Sequence, residues 1–96
     1  MLPKQWESKL PYIKQEDRPQ YDEAVENLVK VLDQNGWVDG HFNYVVSAII
    51  KKWFESNKRY TTANSIMGVV DCIGKEFYRR HIAPYEDEKI EENGDV

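Results

Sequence analysis

The sequence predicts an all-α fold: a three-helix body with an irregular, proline-containing N-terminal arm and a short acidic C-terminal helix or tail. Two observations lead to this prediction. Apolar residues recur at the three- and four-residue steps of an α-helix in three consecutive segments, which are separated by capping residues, glycine or proline. The composition, 41% hydrophobic and 31% charged, is that of an ordinary globular domain. We assign residues 1–18 to the arm, 19–84 to the helical body and 85–96 to the acidic tail.

The arm is predicted from its prolines. Pro3, Pro11 and Pro19 are three of the four in the chain, and each removes a backbone donor and favours extended geometry before it. Charged residues interrupt the arm, so it lacks the apolar region of a signal peptide, and no segment has the roughly 18 apolar residues of a membrane span. The single cysteine, Cys72, excludes an internal disulfide. Together these observations predict a cytoplasmic protein without membrane contact.

The first helix is predicted from about Pro19 to Asn35. Asp17 is the expected N-cap, with Pro19 in the first turn, where its missing N–H does no harm. Asn35 and Gly36 form the expected stop, because glycine adopts the left-handed conformation without steric cost. The apolar stripe of this helix consists of Tyr21, Ala24, Val25, Leu28 and Leu32.

The second helix is expected to begin at a cap formed by Asp39 and to end near Ser56 and Asn57. Its apolar stripe is wide and rich in β-branched residues, so we expect this helix to form the centre of the core. The stripe consists of Phe42, Val45, Val46, Ile49, Ile50, Trp53 and Phe54.

The third helix is predicted from a cap at Thr61 or Thr62 to about Ile82. Gly68 and Gly74 lie inside it, each costing about 0.5–1 kcal/mol relative to alanine. Close approach of another helix is the usual reason for such glycines. Pro84 is expected to end this helix at Ala83 and to start a short last helix, residues 85–93, with Gly94 after it.

Enzymatic chemistry finds no support in the sequence. The two histidines and Cys72 do not stand at metal-ligand spacings, and the tail acids do not follow the alternation of a calcium loop. Cys72 follows Asp71 in an apolar helix and is expected to be a small buried residue rather than a nucleophile. Asp39 could orient the imidazole of His41, but a helix that begins with Asp39 as its cap and His41 in its first turn explains the pair without a function. We therefore predict no enzyme, no catalytic residue, no metal and no cofactor.

The charge is unevenly distributed. Residues 1–84 carry a net charge of +1, whereas residues 85–96 carry −5, and such a tail repels duplex nucleic acid. The cations near the helix ends form two groups. The first group is Lys51, Lys52, Lys58 and Arg59, and the second is Lys75, Arg79, Arg80 and His81.

Arg79 and Arg80 directly precede the acidic segment, and Tyr78 and Tyr85 flank them. They either complement the dipole of the helix C-terminus and form weak ion pairs with the tail, or they hold a phosphate or carboxylate while the tyrosines stack on a base. Alternatively, the tail of one subunit docks on the basic residues of another. The predicted ligand-binding residues are Tyr78, Arg79, Arg80, Tyr85, Asn64 and Asn43.

Several segments resemble a family of short uncharacterised proteins of bacteriophages and bacteria. The longest are Tyr60–Gly68, Glu76–Arg80 and the closing Ala83–Val96, which contains the run PYEDEKIEENGDV; shorter ones are Leu10–Ile13, Arg18–Tyr21 and Asn43–Val46. The resemblance implies a phage or prophage setting in a bacterial host cell and names no catalytic residue. Small helical phage proteins commonly bind host proteins, and some form oligomers that sequester nucleotide immune signals.

These observations predict a non-enzymatic helical binding protein. A homo-oligomer is expected, because short helical hairpins often complete their cores by assembly. The leading hypothesis is sequestration of a small anionic, nucleotide-like ligand as a counter-defence. The alternative is a protein–protein interaction module that acts on a host or phage protein.

Overall fold

The computed structural model describes residues 13–94, and these residues form an all-α fold, as predicted. Three long helices follow one another, α1 (Pro19–Gln34), α2 (Asp39–Ser56) and α3 (Tyr60–Phe77), and a short helix, α4 (Ala83–Asn93), ends the described chain. A 3-10 turn (Gln15–Asp17) precedes α1, and a π-helical turn (Tyr78–Ile82) leads from α3 into α4.

The described chain divides into two compact units, residues 13–63 and residues 64–94. The division falls in the first turn of α3. The first unit holds α1 and α2, and the second holds the rest of α3, the π-helical turn and α4. The predicted arm lies mostly outside the described residues, and so does the end of the acidic tail. The boundaries proposed from the sequence therefore stay predictions.

The residue predicted as the N-cap of α1 is wrong. Arg18 occupies the N-cap position, and Asp17 belongs to the preceding 3-10 turn. The Arg18 guanidinium instead donates to the backbone oxygen of Ile13 from Nε at 3.2 Å and from Nη2 at 3.1 Å. The turn, rather than a side-chain cap, therefore sets where α1 begins. Pro19 occupies the first turn of α1, as expected.

The predicted stop after α1 is confirmed. Gly36 has a φ of +78°, its N–H donates to the Asp33 oxygen at 2.9 Å, and the Trp37 N–H donates to the Leu32 oxygen at 3.0 Å. These two bonds form a Schellman motif, which satisfies the last carbonyls of the helix. Trp37 itself has a φ of +57°, and its indole Nε1 donates to Asp33 Oδ1 at 2.9 Å.

The residues expected to cap α2 and α3 lie inside these helices instead. Val38 is the N-cap of α2, so Asp39 is its first helical residue. The α3 helix begins at Tyr60, which places Thr61 and Thr62 inside its first turn. Acidic Asp39 still complements the dipole at the start of α2. The predicted end of α2 at Ser56 is confirmed.

Burial within the described chain departs most from expectation. Leu32, at 6% exposed, and Ile66, at 5%, are the buried apolar residues of the described part. The α2 helix has none, although its stripe was expected to form the centre of the core. Periodicity shows which side chains share one side of a helix, but it carries no information about what covers that side. The apolar residues left exposed on α2 include Phe42 (54%), Ile49 (59%), Trp53 (39%) and Phe54 (37%).

Pro84 lies in the first turn of the last helix, as predicted, but α3 ends earlier than predicted, at Phe77, and the π-helical turn keeps the path helical between the two. Ala83 has helical φ and ψ of −59° and −46°, and its N–H donates to the Tyr78 oxygen five residues earlier. A proline inside an α-helix cannot donate to the carbonyl four residues back, and its ring clashes with that carbonyl. The wider π-helical turn lets the chain continue helically into α4. Gly94, with a φ of +81°, ends α4 as predicted.

The expectation for Gly68 and Gly74 is not met either. A Cβ atom added at either position would meet nothing within 4 Å among the described residues. Within residues 64–94, therefore, no close neighbour explains why glycine stands at these positions.

Candidate functional site

The two arginines of the predicted anion site lie on the π-helical turn and share one carboxylate. Arg79 Nη2 lies 2.8 Å from Glu76 Oε2, and Arg80 Nε lies 3.1 Å from the same oxygen. Both guanidinium groups are more than half exposed. A single anionic oxygen thus already brings the two guanidinium groups together, so an external phosphate or carboxylate would compete with Glu76.

Tyr78, the first residue of the π-helical turn, is tied to α4. Its hydroxyl hydrogen-bonds the Glu86 carboxylate, and this bond raises the pKa of Tyr78 above its ordinary value of 10.0. The negative charges of Glu86 and, to a lesser extent, Asp87 act in the same direction. Tyr78 as a whole is 51% exposed.

Tyr85 follows on the first turn of α4 and is 56% exposed. The Lys89 ammonium lies 5.6 Å from the centre of its ring, within cation–π range. The rings of Phe77 and His81 lie 4.8 Å apart, tilted by 40°. Residues 76–89 thus present two arginines between two exposed tyrosines.

Of the two predicted asparagines, Asn64 does not join this group, and the place of Asn43 relative to it stays a prediction. Asn64 lies on α3, fourteen residues before Tyr78, which is about 21 Å along a helix axis. Asn43 belongs to α2 in the unit formed by residues 13–63, and its Oδ1 accepts a hydrogen bond from Ser47 Oγ at 2.9 Å. The candidate anion site therefore consists of Tyr78, Arg79, Arg80 and Tyr85, together with Glu76.

Two features of this site were not predicted from the sequence. Glu76 precedes the two arginines by three and four residues. Side chains at this spacing are neighbours on the surface of a helix, so the spacing alone indicated that Glu76 could contact both arginines. The π-helical turn was signalled only by Pro84. Such turns within helices occur frequently at functional sites.

A second candidate is a cavity of about 300 Å³ between α1 and α2, inside the unit formed by residues 13–63. His41 and Tyr44 contribute from α2, and the lining is mostly apolar. The lining residues are Leu28, Val31, Leu32, Asn35, Gly40, His41, Tyr44 and Val45. Its size suits one large apolar side chain, and Asn35, His41 and Tyr44 contribute the polar side chains of its lining.

The described residues offer no metal centre, since no group of three histidine, cysteine or carboxylate side chains within 13–94 can hold an ion. Cys72 is exposed, so the expectation that it is buried is wrong. Its helix turns it away from Ile66, the buried residue of α3.

The first group of cations consists of Lys51 and Lys52 near the end of α2, and Lys58 and Arg59 in the connection to α3. All four residues are exposed. Within residues 13–94, none of them takes part in an ion pair. Trp53 and Phe54, which follow Lys52 on α2, are exposed as well.

No helix among residues 13–94 combines the length and apolar character that crossing a membrane requires. No curated protein and no solved structure matches the chain. One family model does match, described as a domain of unknown function (DUF6899), and the match extends over residues 10–96. Because this match covers nearly the full sequence, the chain belongs to the DUF6899 family.

Proposed function

We propose that this protein is a non-enzymatic helical binding protein that folds as a homo-oligomer and acts through protein–protein contacts. The observation that carries the proposal is the exposure of its apolar helix faces. On α3, for example, Met67, Ile73 and Phe77 are 68%, 58% and 55% exposed. Monomeric proteins rarely leave contiguous apolar faces uncovered, and such faces mark interaction surfaces.

Folding energetics support assembly with other copies. Ordering a residue costs about 1–2 kcal/mol of backbone entropy, and apolar burial is the main opposing term. Within the described part of the chain, Leu32 and Ile66 alone are buried apolar residues, which is too small a core to offset that cost. A second copy brings the same apolar faces at equal concentration, so it is the partner always available to cover them.

The resemblance to phage and bacterial proteins suggests the setting. We propose that the oligomer acts in the cytoplasm of a bacterial host cell, on a host or phage protein. The proposal rests on the exposed apolar faces and not on the absence of a metal cluster among the described residues.

Unfolding at different protein concentrations tests the assembly. Because the folded state is an oligomer, raising the concentration raises the midpoint of thermal unfolding followed by circular dichroism. Met67→Gln should lower that midpoint, because it places an amide in the covered face. Ser65→Gln introduces the same side chain elsewhere on α3 and should change the free energy of unfolding by less than about 0.5 kcal/mol. A midpoint independent of concentration, with both variants equal to wild type, contradicts the proposal.

A second candidate function is binding of a small anionic, nucleotide-like ligand, in keeping with a counter-defence role. The specific observation in its favour is the placement of Arg79 and Arg80 on a π-helical turn between the exposed rings of Tyr78 and Tyr85. Arginine forks suit phosphate, and tyrosine rings suit stacking on a base. Cyclic and linear nucleotides in large excess should raise the unfolding temperature, because a ligand of the native state stabilises it. No shift with any of them would reject this candidate.

A further inference from the structure

Four apolar side chains form one strip along α2, which we call the α2 strip: Phe42, Val46, Ile49 and Trp53. They follow one another at steps of four, three and four residues. With about 3.6 residues per turn, these positions fall within about 60° around the helix axis, so the four side chains share one side of α2. The same steps separate the a and d positions of a heptad, which form the contact between two helices packed side by side.

The α2 strip lies on a different side of the helix from the cavity beside α1. His41, Tyr44 and Val45 are the α2 side chains that line the cavity. Their mean direction around the helix axis differs from that of the strip by about 120°. Packing of α2 along the cavity therefore leaves the strip available to another helix.

Three side chains of the α2 strip are open to solvent: Phe42 is 54% exposed, Ile49 is 59% and Trp53 is 39%. A large aromatic side chain offers about 150–250 Å² and isoleucine somewhat less, so the exposed parts amount to about 300 Å² in one copy and about 600 Å² in two. A specific interface buries about 1,000 Å² or more. The strip thus supplies over half of that area when it meets its equal, and flanking side chains along the 18 residues of α2 can supply the rest.

The α2 strip is complementary to itself when two copies of the helix run antiparallel. A two-fold axis midway between positions 47 and 48 sets Phe42 against Trp53 of the second copy, and Val46 against Ile49. An aromatic ring then meets an aromatic ring at both ends of the contact, and two β-branched side chains meet on each side of its centre.

Charge favours the same orientation. The α2 helix begins with Asp39 and carries Lys51 and Lys52 near its end, and none of the three has an ion pair with a residue of 13–94. Antiparallel helices place the acidic start of each copy near the basic end of the other, and their dipoles attract. Parallel helices would bring like charges together.

We propose that α2 of a second copy packs antiparallel on the α2 strip, with Phe42 against Trp53 and Val46 against Ile49. This inference rests on the proposed homo-oligomer and names the helix faces that meet in it. The contact consists of a single helix from each copy.

Introduced cysteines test the register in the full-length protein. Phe42→Cys and Trp53→Cys are made separately, each with Cys72→Ser, because Cys72 is exposed and could crosslink by itself. With oxidised glutathione, an equimolar mixture should give at least about tenfold more disulfide-linked dimer than either protein alone, since a disulfide needs Cα atoms within about 7 Å. In either protein alone the two cysteines lie eleven residues apart along the contact, which is about 16 Å.

Ile49→Gln tests the α2 strip without oxidation. An amide near the centre of the apolar contact should weaken self-association by about tenfold or more, measured by sedimentation velocity. Ser47→Gln is the matched control, because it introduces the same side chain about 130° away around α2, and it should self-associate like wild type. Circular dichroism confirms that both variants stay helical.

Linked dimer in the mixture alone, with weakened self-association of Ile49→Gln, supports the proposal. Equal linking in either protein alone shows another register and overturns it. If wild type self-associates but the mixture gives no linked dimer, or Ile49→Gln behaves like wild type, the α2 pairing is wrong and the homo-oligomer stands. If wild type is monomeric at every concentration, the pairing and the proposed homo-oligomer both fail.

Discussion

Glu76 Oε2 lies 2.8 Å from Arg79 Nη2, and the same oxygen lies 3.1 Å from Arg80 Nε. One carboxylate on α3 thus holds together the two guanidinium groups that the sequence indicates as anion ligands. The arrangement has a consequence for each candidate function. Glu76 steadies the π-helical turn, and it also occupies the place that a phosphate would take.

Replacing Glu76 by Gln should therefore separate these two roles. Exposed ion pairs contribute about 0–1 kcal/mol, so the free energy of unfolding should fall by no more than about 1 kcal/mol. Phosphate or nucleotide binding, measured by calorimetry, should become tighter if the second candidate function is real. Asp71→Asn is the control: it removes the partner of Lys75 at 2.7 Å and should leave anion affinity unchanged. Equal anion affinity in wild type and Glu76→Gln would count against an anion site here.

Tyr78 should titrate above its ordinary pKa of 10.0, because its hydroxyl donates to the Glu86 carboxylate. A group whose folded-state pKa is raised contributes stability that is fully present below its unfolded pKa, here near 10, and lost as the pH rises through the folded value. Glu86→Gln should lower the pKa of Tyr78 and weaken this alkaline loss of stability. The Tyr78 ring resonance, followed by NMR against pH, measures the shift. Glu88→Gln serves as the control, and a Tyr78 pKa equal in all three proteins contradicts the assignment.

Gly36 and Gly40 should respond to alanine in opposite directions. Gly36 ends α1 with a φ of +78°, so Gly36→Ala should lower the free energy of unfolding by about 1–2 kcal/mol. Gly40 lies in the first turn of α2, where an added Cβ meets nothing within 4 Å. Gly40→Ala should raise the free energy of unfolding by about 0.4–1 kcal/mol. Urea unfolding at one fixed concentration measures both, and a stabilising Gly36→Ala would contradict the observed helix stop.

Pro84 should be the reason for the π-helical turn. Pro84→Ala restores a backbone donor for the Arg80 carbonyl and removes the ring clash, so regular α-helix can replace the turn. Stability should then rise by up to about 3 kcal/mol, the cost of an interior proline. Pro19→Ala is the matched control, since Pro19 lies in the first turn of α1, and it should destabilise by about 0.4–1 kcal/mol. Backbone chemical shifts of residues 78–82 that do not change in Pro84→Ala would show another origin for the turn.

The sequence predicted the helices well, because the spacing of apolar side chains is a local property. Caps were less predictable: Asp17 and Asp39 are good cap residues, yet Arg18 and Val38 occupy those positions, since turn geometry competes with side-chain chemistry. The stop at Gly36 was predictable because only its backbone conformation mattered.

Burial and the candidate site were predicted less completely. A stripe such as that of α2 shows which face avoids water, but not whether the same chain covers it. Arg79 and Arg80 were identified from charge and position. Their partner Glu76 was missed, although its helical spacing indicated it. Asn43 and Asn64 were included as polar residues outside the apolar stripes; Asn64 lies fourteen residues before Tyr78 along a helical path, and the role of Asn43 stays a prediction.

The most direct test of the homo-oligomer is sedimentation equilibrium of the unmodified protein over a wide range of concentrations. A single chain has a mass of 11.4 kDa. The exposed apolar faces predict that the protein sediments at an integral multiple of this mass, and that dilution to monomer is accompanied by loss of helical circular dichroism. A fully helical species at the single-chain mass, stable at every concentration, would contradict the account.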